Sequence, residues 1–77
     1  MITIINNQDF ILTPQQQQAV QNACVNADYS EIITGEKFES EDGEILIPFY
    51  FDSYNEVDDE TIEEFAFNMN AETLKIS

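Results

Sequence analysis

Carboxylates are the one chemistry-bearing group this chain has in abundance. Sixteen Asp and Glu stand against two Lys, with no Arg and no His, so the 77 residues carry a formal net charge of −14. Adjacent acids such as Glu63 and Glu64 can shift each other's pKa, but acid–base catalysis also needs a cleft around the pair, and the surrounding sequence implies none. The single thiol, Cys24, lies among small apolar residues, the setting of an inert buried cysteine. One cysteine leaves no disulfide framework and no cysteine-based metal site. Two glycines cannot build a phosphate cradle. The expectation is a non-enzyme without a cofactor.

Three segments imitate known chemistry and fall short of it. Asp52 to Glu63 begins on Asp and ends on Glu like a calcium loop, yet Tyr54 stands at a ligand position and Val57 where the tight turn requires Gly. Ile47-Pro48-Phe49-Tyr50-Phe51 is similar to the aromatic strand that stacks bases in RNA-recognition domains. No basic surface accompanies it, so direct nucleic-acid binding is not expected and core packing is the better reading. Leu12 to Val20 looks like the glutamine-containing start of some helicases, but no phosphate-binding loop follows, which leaves a capped helix.

What remains is the charge. A small domain is kept soluble by a net charge of roughly 2–8, and a larger excess repels itself at physiological salt. The acids are also uneven: residues 1–30 contain only Asp9 and Asp28, whereas residues 31–64 contain 13 of the 16. The first part reads as a neutral scaffold and the second as the source of the field, although a proteome-wide acidic bias such as salt adaptation would raise the charge without any use. Two groups form, one of Glu36, Glu39, Glu41, Asp42 and Glu44, the other of Asp52, Glu56, Asp58, Asp59, Glu60, Glu63 and Glu64. Carboxylates two apart on a strand lie roughly 6.8 Å apart, and those three or four apart on a helix roughly 5–6 Å. Successive phosphates on one nucleic-acid strand have a similar spacing. Taken singly, Asp59, Glu60 and Glu63 are explained by a helix N-terminus and Asp42 by a turn. Taken together they are not, because Glu41 and Glu44 flanking a hairpin on one face would repel.

The elements that must carry these groups follow from local pattern. Met1 to Ile5 is a β-branched run that predicts a strand. Thr13-Pro14 is an N-cap followed by proline at the first helical position, and Ala19, Val20, Ala23, Cys24 and Ala27 then recur at helical spacing. The other side of this helix, with Gln15 to Gln18, Gln21, Asn22 and Asn26, is polar and uncharged. Asp42-Gly43 predicts a two-residue type I′ hairpin with Ser40 opposite Ile45, Phe38 opposite Ile47, Glu36 opposite Phe49 and Thr34 opposite Phe51. Alternation then buries Ile45, Ile47, Phe49 and Phe51 with Phe38 and Ile32, and exposes Lys37, Glu39, Glu41, Glu44, Tyr50 and Asp52. Pro48 marks an edge or a bulge. Asp58 reads as the N-cap of a second helix, with Val57 stapled to Ile62 and a stripe of Ile62, Phe65, Ala66 and Met69. Thr73 to Ile76 is a last short strand. The order β-α-β-β-α-β is that of a ferredoxin-like α+β domain spanning residues 1–77, an antiparallel sheet with two helices on one face; a hairpin flanked by helices is the simpler alternative.

In size, charge, lack of catalytic residues and compact α/β pattern the chain resembles the small acidic inhibitors encoded by phages, the anti-CRISPR and anti-restriction DNA mimics. The resemblance is one of class and transfers no site residue. It implies a protein that blocks the basic groove of a nucleic-acid-binding protein or complex in the host cytoplasm. On physical grounds the contact residues are Glu39, Glu41, Asp42, Glu44, Asp59, Glu60, Glu63 and Glu64, with Tyr50 and Tyr54 as aromatic anchors. The rival expectation is a protein–protein interaction or regulatory module using the Gln/Asn helix face or a sheet edge, its acids serving only solubility. No basic leader or long apolar run is seen, so neither secretion nor membrane insertion is expected.

Overall fold

A computed structural model describes all 77 residues. In it the chain is a small α+β domain with one helix and a mixed five-stranded sheet. Strand β1 (Thr3–Asn6) is followed by helix α1 (Pro14–Ala23), then β2 (Glu31–Thr34), the short β3 (Phe38–Glu39), and two long strands, β4 (Ile45–Asn55) and β5 (Glu60–Asn70). β1 and β2 run parallel, with Ile4 beside Ile32. A parallel pair needs a long crossover, and α1 supplies it. β4 is central, antiparallel to β2, β3 and β5.

The first helix starts as its sequence predicts but ends at Ala23, short of the expected Ala27. Thr13 accepts from the Gln16 N–H at 3.1 Å while the Gln16 side chain accepts from the Thr13 N–H at 2.9 Å, a complete capping box with Pro14 in the first turn. The helix buries Val20, and Cys24 just beyond it, against one face of the sheet. There they meet Ile32 of β2, Ile47 and Phe49 of β4 and Phe67 and Met69 of β5, with Ile2 and Leu12 closing the ends. Gln21, expected on a free polar face, instead bonds both backbone groups of Ile2, accepting from its N–H at 2.9 Å and donating to its carbonyl at 2.7 Å. That contact ties the helix to the N-terminal strand.

The predicted second helix is absent. Asp58 is not an N-cap and Val57 is no staple; residues 60–70 form β5, so the ferredoxin-like arrangement with two helices does not hold. Pairing with β4 over ten positions, from Asn55↔Glu60 to Leu46↔Asn70, outweighs the helical spacing of Ile62, Phe65, Ala66 and Met69. The expected closing strand at Thr73–Ile76 reduces to a single bridge between Ile76 and Met69. It is reached through a turn in which the Asn70 side chain accepts from the N–H groups of Glu72 and Thr73.

The first hairpin differs by one residue from expectation. Glu39 faces Ile45 and Phe38 faces Leu46, and Ser40 donates to the Glu44 carbonyl at 2.8 Å. Gly43, at φ +81°, donates back to Ser40, so the loop is Glu41-Asp42-Gly43, a turn ending in a left-handed glycine rather than a two-residue I′ turn. A slip of one residue exchanges faces. Phe38 is therefore 43% exposed instead of buried, Glu39 shares the side of Ile45, and Glu41 is not opposite Glu44. Thr34 pairs with Phe49, not Phe51. Phe51 lies past the main core, its ring stacked on Tyr29 at 4.4 Å between centroids. Pro48 is neither at an edge nor in a bulge. The Gly35 N–H donates to the Pro48 carbonyl at 2.7 Å, so the proline's missing donor faces Gly35 just past the end of β2, and the return hydrogen bond of that pair is not made.

Candidate functional site

Two surface features follow from the long β4–β5 hairpin. At 11 residues each and a rise of about 3.4 Å per residue, its strands set the 40 Å long axis of the molecule. β2 and β3 pair only with the part of β4 from Ile45 to Tyr50. From Phe51 onward β4 is paired with β5 alone. Tyr29 still stacks on Phe51 and Glu31 borders Asp52, and beyond them residues 51–64 continue as a two-stranded ribbon projecting from the packed base.

That ribbon carries seven acids: Asp52, Glu56, Asp58, Asp59, Glu60, Glu63 and Glu64. Asp52 stands directly opposite Glu63, a like-charge cross-strand pair and therefore destabilising. No basic residue occurs between Lys37 and Lys75, and Lys37 lies over the Phe10 ring, 4.5 Å from its centroid. At the tip, Asn55 accepts from the Val57 N–H and donates to Asp58 at 3.1 Å. Asp59 takes a left-handed φ of 49°, which the short acidic side chain tolerates. Tyr54 donates to the Asp59 carboxylate, and this bond holds the Tyr54 phenol above its ordinary pKa.

The expected contact residues thus divide between two ends. Tyr54, Asp59, Glu60, Glu63 and Glu64 belong to the ribbon, while Glu39, Glu41, Asp42 and Glu44 lie about the β3–β4 loop at the opposite end of β4. The length of that strand, roughly 35 Å, separates the groups. Tyr50 sits between them. Helix-dipole compensation no longer accounts for Asp59, Glu60 or Glu63, because no helix begins there.

The second feature is the sheet face turned away from α1. Phe49 pairs with Phe67, whereas Tyr50 pairs with Phe65, so Ala66 is an extra residue in β5. A bulge of this kind changes which face the following side chains occupy. Phe67 remains in the core at 9% exposure, while Phe65 is thrown to the open face at 55%. There its ring meets Tyr50 edge-on, 5.9 Å between centroids. Ile33 is the register partner of Tyr50, and Ile5 that of Ile33, which extends the apolar strip across three strands. Gly35 keeps the strip close-set: a Cβ there would lie 2.6 Å from the Tyr50 ring and 2.9 Å from Pro48.

Asp52 and Glu63 are the next pair along from Tyr50 and Phe65 on this face. Beside them is a concavity of about 280 Å³ lined by Ile5 and Ile33, by Asp28, Glu31 and Asp52, and by Tyr29 and Ser30. No three of the chain's acids or its thiol converge tightly enough to hold a metal ion. A second hollow of about 460 Å³ lies at the helix end near Met1, Gln18, Asn22, Cys24 and Val25. Cys24 there is buried, and burial raises its pKa while a hydrogen bond with Tyr29 lowers it by less. Such a thiol is poorly nucleophilic.

Sequence reasoning missed Phe65, Ile33 and Ile5 as surface residues. Its available signal was the alternation Phe65, Phe67, Met69, which marks a strand. The bulge that separates Phe65 from the other two has no signature in residue type. No helix is long and apolar enough to cross a membrane. Compared with models of known protein families, with curated proteins and with solved structures, the chain matches none.

Proposed function

We propose that this chain is a non-enzymatic inhibitor that occupies the basic nucleic-acid-binding surface of another protein or complex, presenting the carboxylates of the β4–β5 ribbon in place of phosphates. This is the mode of the phage-encoded anti-CRISPR and anti-restriction mimics, and it places the action in the cytoplasm of a host cell. One observation carries the reading: seven acids are concentrated on a projecting ribbon whose cross-strand register sets Asp52 against Glu63. Such an arrangement costs stability in isolation and is relieved when cations are brought between the carboxylates.

The intervals suit the role. Asp52 and Glu63 lie opposite each other with Cβ atoms about 4.5–5.5 Å apart, close to the phosphate spacing on one nucleic-acid strand, while Glu60 and Glu64 lie on the other face of the ribbon. Sheet pairing holds the array, so little ordering entropy opposes binding. The group at the β3–β4 loop, Glu39, Glu41, Asp42 and Glu44, forms a second negative region about one strand-length away. It steers approach and extends the contact where the partner's groove is long.

The test is capture of the partner from a host lysate at low and high salt, followed by competition with DNA or RNA. Binding should weaken steeply with salt and be displaced by nucleic acid. Glu63→Gln, Glu64→Gln, Asp59→Asn and Glu60→Gln combined should remove most of the affinity, while Glu41→Gln with Asp42→Asn should remove less. Salt-independent binding that survives the fourfold ribbon variant would refute the proposal and favour an ordinary protein–protein contact.

A further inference from the structure

We infer that the open face of the sheet is a docking surface for an arginine-bearing segment of the partner protein, with Phe65 and Tyr50 receiving the guanidinium and Asp52, Glu63 and Glu31 pairing with it. The inference rests on the reading that the partner is basic, and it adds where and by what chemistry the contact is anchored.

The face carries an apolar strip that the rest of the chain leaves partly exposed. Ile5, Ile33 and Tyr50 are half-buried and Phe65 is more than half exposed, although the same strands bury Ile32, Phe49 and Phe67 on the other side. A bulge is needed to bring Phe65 here at all, and bulges commonly re-aim side chains at functional sites. Two aromatic rings beside a carboxylate pair form a combined environment. The ring faces attract a flat, weakly hydrated cation, and the carboxylates accept its N–H groups. The neighbouring hollow extends this with an Ile5 and Ile33 lining and the carboxylates of Asp28, Glu31 and Asp52. At about 280 Å³ it lies just below the usual range of small-molecule pockets, roughly 300–1,000 Å³. No three of the acids around it converge on a bare metal ion.

Charge selects among occupants. A second copy would bring another −14, and a nucleic acid or an anionic lipid surface would be repelled by Asp52 and Glu63 at the rim of the apolar strip. A cationic protein segment gains from both parts of the surface. Arginine is preferred to lysine, because a planar guanidinium stacks on rings and bridges two carboxylates, whereas an ammonium does neither as well.

The experiment is titration of the isotope-labelled full chain with a nine-residue peptide carrying three arginines, and with its lysine counterpart, at low and moderate salt. The arginine peptide should shift the amides of Ile33, Asp52, Glu63 and Phe65 and bind several-fold more tightly than the lysine peptide. Phe65→Ala should weaken arginine binding by about 5–30-fold, the range expected of an aromatic anchor, and Phe65→Tyr should restore it. Both substitutions lie at an exposed position, and amide spectra will report whether the fold is kept. Equal affinity for the two peptides, indifference to Phe65→Ala, or shifts confined to the β3–β4 loop would overturn the docking site while leaving the polyanion reading intact. Concentration-dependent self-association covering the same amides would overturn it in favour of a second copy. No binding of either peptide at low salt would sink both proposals.

Discussion

Replacing Thr34 by valine tests how the core is assembled. Thr34 is 1% exposed and stands opposite Phe49 in the register of β2 with β4. Its Oγ1 is the one buried side-chain polar atom without a hydrogen-bond partner. Valine keeps the β-branched shape and strand preference and puts a methyl where the hydroxyl stands. A buried hydroxyl with no partner costs about 1–3 kcal/mol of desolvation. Thr34→Val should therefore stabilise the domain by about 1–2 kcal/mol, in the lower part of that range because a methyl is slightly larger and the core is close-packed. For a domain of this size the change corresponds to a rise in Tm of roughly 5–15 °C. The assay is urea unfolding of both proteins with a check that the m-value is unchanged, supported by calorimetry. Thr34→Ser is the control: it keeps the hydroxyl, loses the methyl, and should destabilise by about 1 kcal/mol. A neutral or destabilising valine at constant m would mean that the hydroxyl is satisfied in solution, and the account of this part of the core would be wrong.

Other perturbations follow from the same geometry. The two glycines should respond for different reasons. Gly43→Ala meets no atom but forces a Cβ onto φ +81°, costing about 1 kcal/mol; Gly35→Ala drives a Cβ into Tyr50 and Pro48, so it should also move the Tyr50 and Phe65 resonances. Burial raises the pKa values of Cys24 and Tyr29 above the ordinary 9.0 and 10.0. The folded state then holds protons that the unfolded chain has released, so this stability is complete below about pH 9 and is lost as pH climbs through the raised folded values. Urea midpoints measured from pH 7 to 10.5 should fall over the upper part of the range, and Cys24→Ala should soften the fall. Finally, Tm should rise with added salt because the net charge is −14. Glu63→Gln, which removes the repulsion with Asp52, should raise Tm at low salt and lose that advantage near 1 M, where the screening length is about 3 Å.

The site was legible in the sequence as composition and position more than as shape. The run from Asp52 to Glu64 is acidic whatever it folds into, and its lack of basic neighbours is visible from Lys37 and Lys75 alone. Its geometry was not legible. The stripe of Ile62, Phe65, Ala66 and Met69 fits a helix as well as Phe65, Phe67 and Met69 fit a strand, and no residue type decides between them. The opposition expected of Glu41 and Glu44 does occur in this molecule, but between Asp52 and Glu63.

By itself the sequence determined what depends on groups a few residues apart: the charge and its placement, the capped start of α1 at Thr13 to Gln16, the glycine turn at Gly43, and the β-branched strands. These rest on side-chain chemistry and on contacts that close within one turn of chain. Tertiary structure alone decided that residues 60–70 pair with β4, that the first hairpin shifts by one residue, and that a bulge at Ala66 sends Phe65 outward. Each depends on partners ten or more positions away or on a ladder whose slip by one residue exchanges inside and outside. A helix cap is settled locally; the face a strand shows is settled by its neighbours.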